Sequence, residues 1–181
     1  MIITAMLALA TLVAMPARAE RNVTVYVNID LNTRGALYQA QEMAARIFAD
    51  VGVRIEWRTG RPSGAQSQRE PAIMVSLAED TPADYLPGAL AAAKVFEGVH
   101  ITVFWDRIVC RGCRARPAPT SVVLAHVLVH EITHILQGVY RHSESGIMKA
   151  HWTIDDYRAM ASKPLTFTPV DLELIQHGRQ P

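Results

Sequence analysis

Apolar residues recur along this chain in two rhythms, one of period two and one of period near 3.6, and their order outlines the fold. Residues 23–29 alternate β-branched and polar side chains, as a half-buried strand does. Residues 37–48 place Ala, Met and Ile at helical spacing, and Gly52 follows as a helix-ending glycine. Residues 53–57 read as a second strand, and 58–71, rich in Gly, Ser, Gln and Arg, as a surface loop. An apolar third strand is expected over 72–77, and two prolines and a glycine make 81–88 a loop. The Ala-rich run 89–96 is open to a helical reading. Its bracketing by Gly88 and Gly98, with a strong strand over 100–105 straight after, favours a short strand. After a loop at 107–119, a long helix is expected over 121–137, entered past Pro119 with Thr120 or Ser121 as cap. The chain shows no internal repeat and no low-complexity tract.

Composition changes the picture at the start of the chain. Half of the 181 residues are apolar, enough for one domain with a proper core. Residues 2–15 are apolar, Pro16 interrupts them, and Ala17-Arg18-Ala19 supplies the small-x-small pattern of a signal cleavage site. Residues 1–19 are thus expected to direct export, with one domain over 20–181, its upper part 20–138 and its lower part 139–181. The apolar run is shorter than the roughly 20 residues a membrane-spanning helix requires. No Lys or Arg precedes it, so an uncleaved anchor is the competing reading. Without Arg18 the basic residues fall from 18 to 17, against 17 acidic. A neutral chain with no basic cluster lacks the electrostatic footprint of a nucleic-acid or anionic-membrane binder.

Cys110 and Cys113 form one Cys-x-x-Cys pair, where a zinc knuckle needs two. Two prolines within residues 114–119 argue against the helix N-terminus a redox motif uses. A local disulfide in an oxidising compartment is favoured over free thiols.

The long helix carries the chemistry. It contains His130-Glu131-Ile132-Thr133-His134. Residues four apart share a helical face, so the two imidazoles can grip one metal ion from adjacent turns. Glu131 then sits beside the open coordination position, able to take a proton from metal-bound water and pass it to the leaving amine. With seven histidines in the chain, chance produces this pentapeptide roughly once in a hundred chains of such composition. Leu124, Leu128, Ile132 and Leu136 form an apolar stripe that lets the helix pack while the histidines face a cleft. Catalytic zinc usually takes three protein ligands. Gly138 can turn the chain sharply, and His142, four residues on, is the expected third ligand. Tyr140, Glu144, His151 and Asp155 or Asp156 are the alternative donors. His126, one turn before His130, is expected to be a packed histidine, and His151, Trp152 and Tyr157 to be structural.

From His130 to His142, followed by Gly146-Ile147-Met148, the chain resembles the metzincin clan of zinc peptidases. In that clan a glycine ends the active-site helix, a third histidine follows, and a methionine turn underlies the metal. The order of elements is similar as well. The resemblance implies an α+β fold, a twisted mixed sheet with a long active-site helix and a small C-terminal helical subdomain, whose last helix would be residues 168–177. It also implies a role for Met148 beneath the site and, for the short strand, extended substrate bound by backbone pairing. Gly138 and His142 lie four and eight residues after His134, whereas the clan's usual spacings are three and six. Gln137 and Tyr140 hold those usual positions. Ala150 stands where some members carry a tyrosine. The resulting expectation is an exported metalloendopeptidase with one catalytic Zn2+ held by His130, His134 and His142, and Glu131 as general base. Its partner would be a peptide or protein substrate, with no nucleic acid and no stable membrane insertion after signal removal. A zinc-stabilised binding domain without turnover, or a zinc amidohydrolase acting on cell-wall material, are the alternatives.

Overall fold

The computed structural model describes residues 21–28, 34–62, 72–94, 99–110 and 116–178. The expected signal, residues 1–19, lies outside them. Five strands form one sheet in the order β2-β1-β3-β5-β4. These are β1 (Arg21–Asn28), β2 (Val53–Thr59), β3 (Ile73–Ala78), β4 (Ala91–Lys94) and β5 (His100–Phe104). β1 pairs in parallel with β2 and β3, β3 in parallel with β5, and β4 closes the edge antiparallel to β5.

The alternation seen in the sequence is the alternation of the two sheet faces. Val23, Val25, Val27, Val53, Ile55, Ile73, Val75, Ile101 and Val103 are buried, while Asn22, Arg54, Glu56 and Ser76 point to the exposed side. Helix α1 (Arg34–Ala49) covers the apolar face with Leu37, Ala40, Ala44, Ile47 and Phe48, spaced as one helical stripe. Helix α3 (Thr120–Gln137) packs against α1 and reaches β4 and β5. Leu124, Leu128, Ile132 and Leu136 are all fully buried, and burial of each such side chain stabilises the fold by about 1.5–3 kcal/mol.

Several boundaries differ from the sequence expectation. Trp105 does not end a strand; it opens a short helix, α2 (Trp105–Ile108), inside what reads as strand and loop. The short edge strand is present over Ala91–Lys94 and begins two residues later than expected, while residues 95 and 96 lie outside the described residues. The cap of α3 is neither Thr120 nor Ser121. Pro119 occupies the N-cap with no side-chain hydrogen bond, and its carbonyl accepts from the amides of Val122 and Val123. Beyond α3 the chain forms α4 (Ile154–Ser162), unanticipated from the sequence, and α5 (Pro169–His177), which matches the expected closing helix. Both open with a capping box, Thr153 with Asp156 and Thr168 with Asp171. Ile147, Met148, Met160 and Ile175 from this lower part join the same apolar core as the sheet. Among the described residues no helix is long and apolar enough to cross a membrane.

Candidate metal centre

The middle of α3 is buried on every side, and its polar side chains are therefore held by specific partners. His130 Nδ1 lies 2.8 Å from Ile147 O, and His134 Nδ1 lies 3.2 Å from Val139 O. A carbonyl only accepts, so each Nδ1 carries the proton and each Nε2 presents a lone pair. Those two Nε2 atoms face each other at 3.0 Å. Burial first, and then the neighbouring imidazole, pushes the His130 pKa down to about 3. Burial likewise lowers His134 to about 4. Both rings are neutral at ordinary pH.

The third imidazole arrives by a return loop. Gly138 ends α3 in the left-handed conformation, φ 68°, its amide donating to His134 O and Ile135 O. The chain then reverses and brings the exposed His142 against both buried rings, with centroids 5.3 Å from His130 and 5.0 Å from His134. The ligating nitrogens of the three histidines lie within 4.8 Å of one another, and among the described residues no other such cluster forms. Burial and the nearby His151 lower the His142 pKa.

The loop carrying His142 is pinned on both sides of the ring. Ser143 Oγ donates to Asp171 Oδ1 at 2.7 Å, and Arg141 donates to the same oxygen at 2.9 Å. The other oxygen, Oδ2, accepts from the Thr168 amide at 2.9 Å and its hydroxyl at 2.6 Å. Asp171 is fully buried at the start of α5. Ser143 N donates to Met148 O at 2.7 Å, closing the turn that holds Gly146, Ile147 and Met148. Gly146 has φ 76°, and a Cβ there would meet Thr166 O at 2.1 Å, so only glycine fits. Met148 is fully buried. Its neighbour Ile147 supplies the carbonyl that orients His130.

Glu131 faces the same cleft, one residue from His130. Burial pushes its carboxyl up to about 8, opposed by a hydrogen bond from the Ala93 amide on β4. The Ala93 carbonyl accepts from Tyr140 Oη at 2.8 Å. Tyr140, weighed as an alternative ligand, thus ties the return loop to the edge strand. The remaining alternatives do not join the cluster. Asp155 pairs with Arg158 at 2.7 Å, Asp156 caps α4 and pairs with Lys149 at 2.6 Å, and Glu144 and His151 are exposed. His126 is a packed histidine: its Nδ1 meets Val122 O at 2.8 Å, and its Nε2 accepts from the Leu165 amide at 3.1 Å. Trp152 and Tyr157 line the cleft, a volume of about 660 Å³ bounded also by Leu90, Ala91 and Val127.

The donor set fits zinc. Two nitrogens at 2.0–2.1 Å from one tetrahedral ion stand about 3.3 Å apart, close to the 3.0 Å between the Nε2 atoms. Two lone pairs aimed at one another in a buried site repel unless a cation or proton lies between them, and burial opposes the proton. Second hydrogen bonds from Nδ1 to carbonyls are the usual means of fixing a ligating imidazole.

The mixed sheet, the long helix bearing the paired imidazoles near an edge strand, and the helices that follow it make up the fold that carries this site. Two solved structures share it. Archaemetzincin from Methanopyrus kandleri superposes with a TM-score of 0.56 at 14% identity, over 90% of this chain and 97% of that one. A zinc-dependent peptidase from Methanocorpusculum labreanum gives 0.53 at 11% identity, over 84% of this chain and 99% of its own. At these identities the likeness is one of fold. No family model and no curated protein matches the sequence.

Proposed function

We propose that this chain is an exported zinc-dependent endopeptidase, with His130, His134 and His142 as metal ligands and Glu131 as general base. The observation that carries the reading is the convergence of three neutral imidazoles beside a buried carboxyl in one open cleft. The names borne by the two structural neighbours, archaemetzincin and zinc-dependent peptidase, support it. Zinc bound there supplies Lewis acidity, polarising a carbonyl and lowering the pKa of water to about 7. Glu131 takes the proton and returns it to the departing amine. Burial alone leaves this carboxyl protonated near neutrality; a divalent charge on the adjacent imidazoles favours its ionised form. The Ala93 amide holds it in place, which preserves the geometry that proton transfer needs.

Strand β4 offers a template for an extended substrate. Leu90 O accepts from Phe104 N, so Leu90, Ala92 and Lys94 turn their backbone groups to β5, and Ala91 and Ala93 turn theirs outward. Both outward groups of Ala93 are taken, by Glu131 and Tyr140. Ala91, which lines the cleft, is therefore where a substrate backbone pairs. Cys110 is disulfide-bonded, while Cys113 lies outside the described residues, and disulfides persist in oxidising compartments, which supports export.

The test is Glu131→Gln. The variant is expected to retain zinc stoichiometrically and to lose cleavage of a peptide library. Parent protein that takes up no zinc, or a variant that cleaves like the parent, refutes the assignment.

A further inference from the structure

Beyond the histidines the cleft continues toward the N-terminus of α3, and its character changes. Val127 stands one turn before Glu131 on the same helical face, so this wall runs directly back from the carboxyl. Trp152, Tyr157 and Arg116 line the same cleft. Arg116 is held rigidly. One of its terminal nitrogens, Nη1, donates to Arg107 O at 2.8 Å and Ile108 O at 2.9 Å, and its guanidinium carbon lies 5.1 Å from the centre of the Tyr157 ring. A guanidinium has five N–H donors. The two on that nitrogen are used, and among the described residues the three on Nε and Nη2 have no hydrogen-bond partner.

The charges of the cleft are unbalanced. Arg116 and Lys149 both line it, and Glu131 is the one carboxyl among its lining residues. Lys149 is neutralised by Asp156 at 2.6 Å. Among the described residues no carboxylate forms an ion pair with Arg116. A cation with uncommitted donors beside an aromatic ring in a cleft can receive a planar anion, and the guanidinium fork matches a carboxylate in two parallel bonds.

We propose that Arg116 receives a carboxylate of the substrate, so that the enzyme selects peptides presenting that group next to the scissile bond. The inference rests on the peptidase reading above. An Asp or Glu side chain and the free C-terminus of a short peptide supply the same chemistry. The pre-positioning of Arg116 on two carbonyls means that little side-chain freedom is lost on binding. The partly apolar surroundings strengthen the charge-assisted hydrogen bonds relative to water.

The experiment uses full-length, zinc-loaded Glu131→Gln protein, which binds without turnover, and four peptides of one sequence. They carry Glu or Gln at the varied position and a free or amidated C-terminus. Calorimetry is expected to show about tenfold or tighter binding for one of the two carboxylates over its neutral isostere. Which one it is identifies the source. Adding Arg116→Gln should remove that advantage, and Arg116→Lys, which keeps the charge without the fork, should restore part of it. Equal binding of acidic and neutral peptides overturns the proposal without any Arg116 variant, as does an acidic advantage that survives Arg116→Gln. The parent protein separates the two readings. Cleavage with no dependence on the carboxylate sinks the role of Arg116 alone. Carboxylate-dependent binding without cleavage sinks the peptidase reading and leaves the anion receptor standing.

Discussion

Replacing Asp171 by Asn tests whether α5 governs the metal site through the loop that carries His142. The carboxylate accepts four hydrogen bonds, two per oxygen, and is fully buried. An amide of the same shape must turn its NH2 either toward the Thr168 amide and hydroxyl or toward Arg141 and Ser143. In either orientation a donor meets a donor that the carboxylate had satisfied. Hydrogen bonds to a charged group contribute about 1.5–3 kcal/mol each, though not additively, and Arg141 is partly exposed and contributes less. We expect a loss of about 3 kcal/mol, which for a chain of this size lowers Tm by about 6–12 °C. Burial by itself raises the Asp171 pKa, but the hydrogen bonds from Thr168, Ser143 and Arg141 together outweigh it and leave the value lowered. The carboxylate's contribution is thus fully present above the unfolded value of 3.8 and fades as pH falls through the lower folded value. Parent and variant melting points should therefore approach each other in acid. Because residues 141 and 143 flank His142, zinc affinity should also fall by about 10- to 100-fold, as when a hydrogen-bond partner of a ligand is lost. Thr168→Ala is the control: it weakens the helix cap by about 1 kcal/mol and should leave zinc affinity near that of the parent. Thermal unfolding with and without a chelator, together with zinc competition, reads both quantities. An Asp171→Asn protein that melts lower but binds zinc as the parent does would refute the coupling.

His142→Ala should weaken zinc binding more than any such outer partner does, beyond about 100-fold; parent-like affinity in a chelator competition would remove His142 from the ligand set. Gly146→Ala should cost about 3 kcal/mol or more, from a positive φ and a carbonyl at 2.1 Å, read as a Tm drop; an unchanged melting point refutes it. Metal-free protein should lose stability as pH falls below 6.5, because the unfolded chain takes up protons that His130 and His134 resist down to about 3 and 4. For two such groups the slope is roughly 2–3 kcal/mol per pH unit between about 6 and 4.5, and Glu131, protonated in the fold up to about 8, takes roughly 1 kcal/mol per pH unit from it, leaving about 1. A flat profile in urea unfolding with chelator would contradict it.

The parts of the site that lie close in sequence were legible there. His130, Glu131 and His134 share one helical turn, and Gly138 marks its end, so local periodicity suffices. His142 was legible despite its unusual spacing, because a glycine in the left-handed conformation at Gly138 is enough to send the chain back. The contacts that decide how the site is held were not legible. Ala93 to Glu131, Arg141 to Asp171 and Arg116 to Tyr157 join residues far apart in sequence, and nothing local in an alanine or an arginine announces such a partner. Helix α4 is a different case. Thr153 and Asp156 spell a capping box at its start, but its apolar stripe is weak, and only Met160 is buried. Helix α2 is a single turn, shorter than any periodicity can reveal.

The two bonds at Ala93 also bear on how this chain behaves at high concentration. An open sheet margin invites a second copy to zip alongside it, and natural proteins blunt such margins. Here the phenol of Tyr140 and the carboxyl of Glu131 occupy one outward-facing step of β4, and the charged Lys94 ends the strand. Among the described residues, what stays accessible on β4 is too short for a ladder to propagate between molecules, so the arrangement proposed to receive a guest chain also discourages fibril growth.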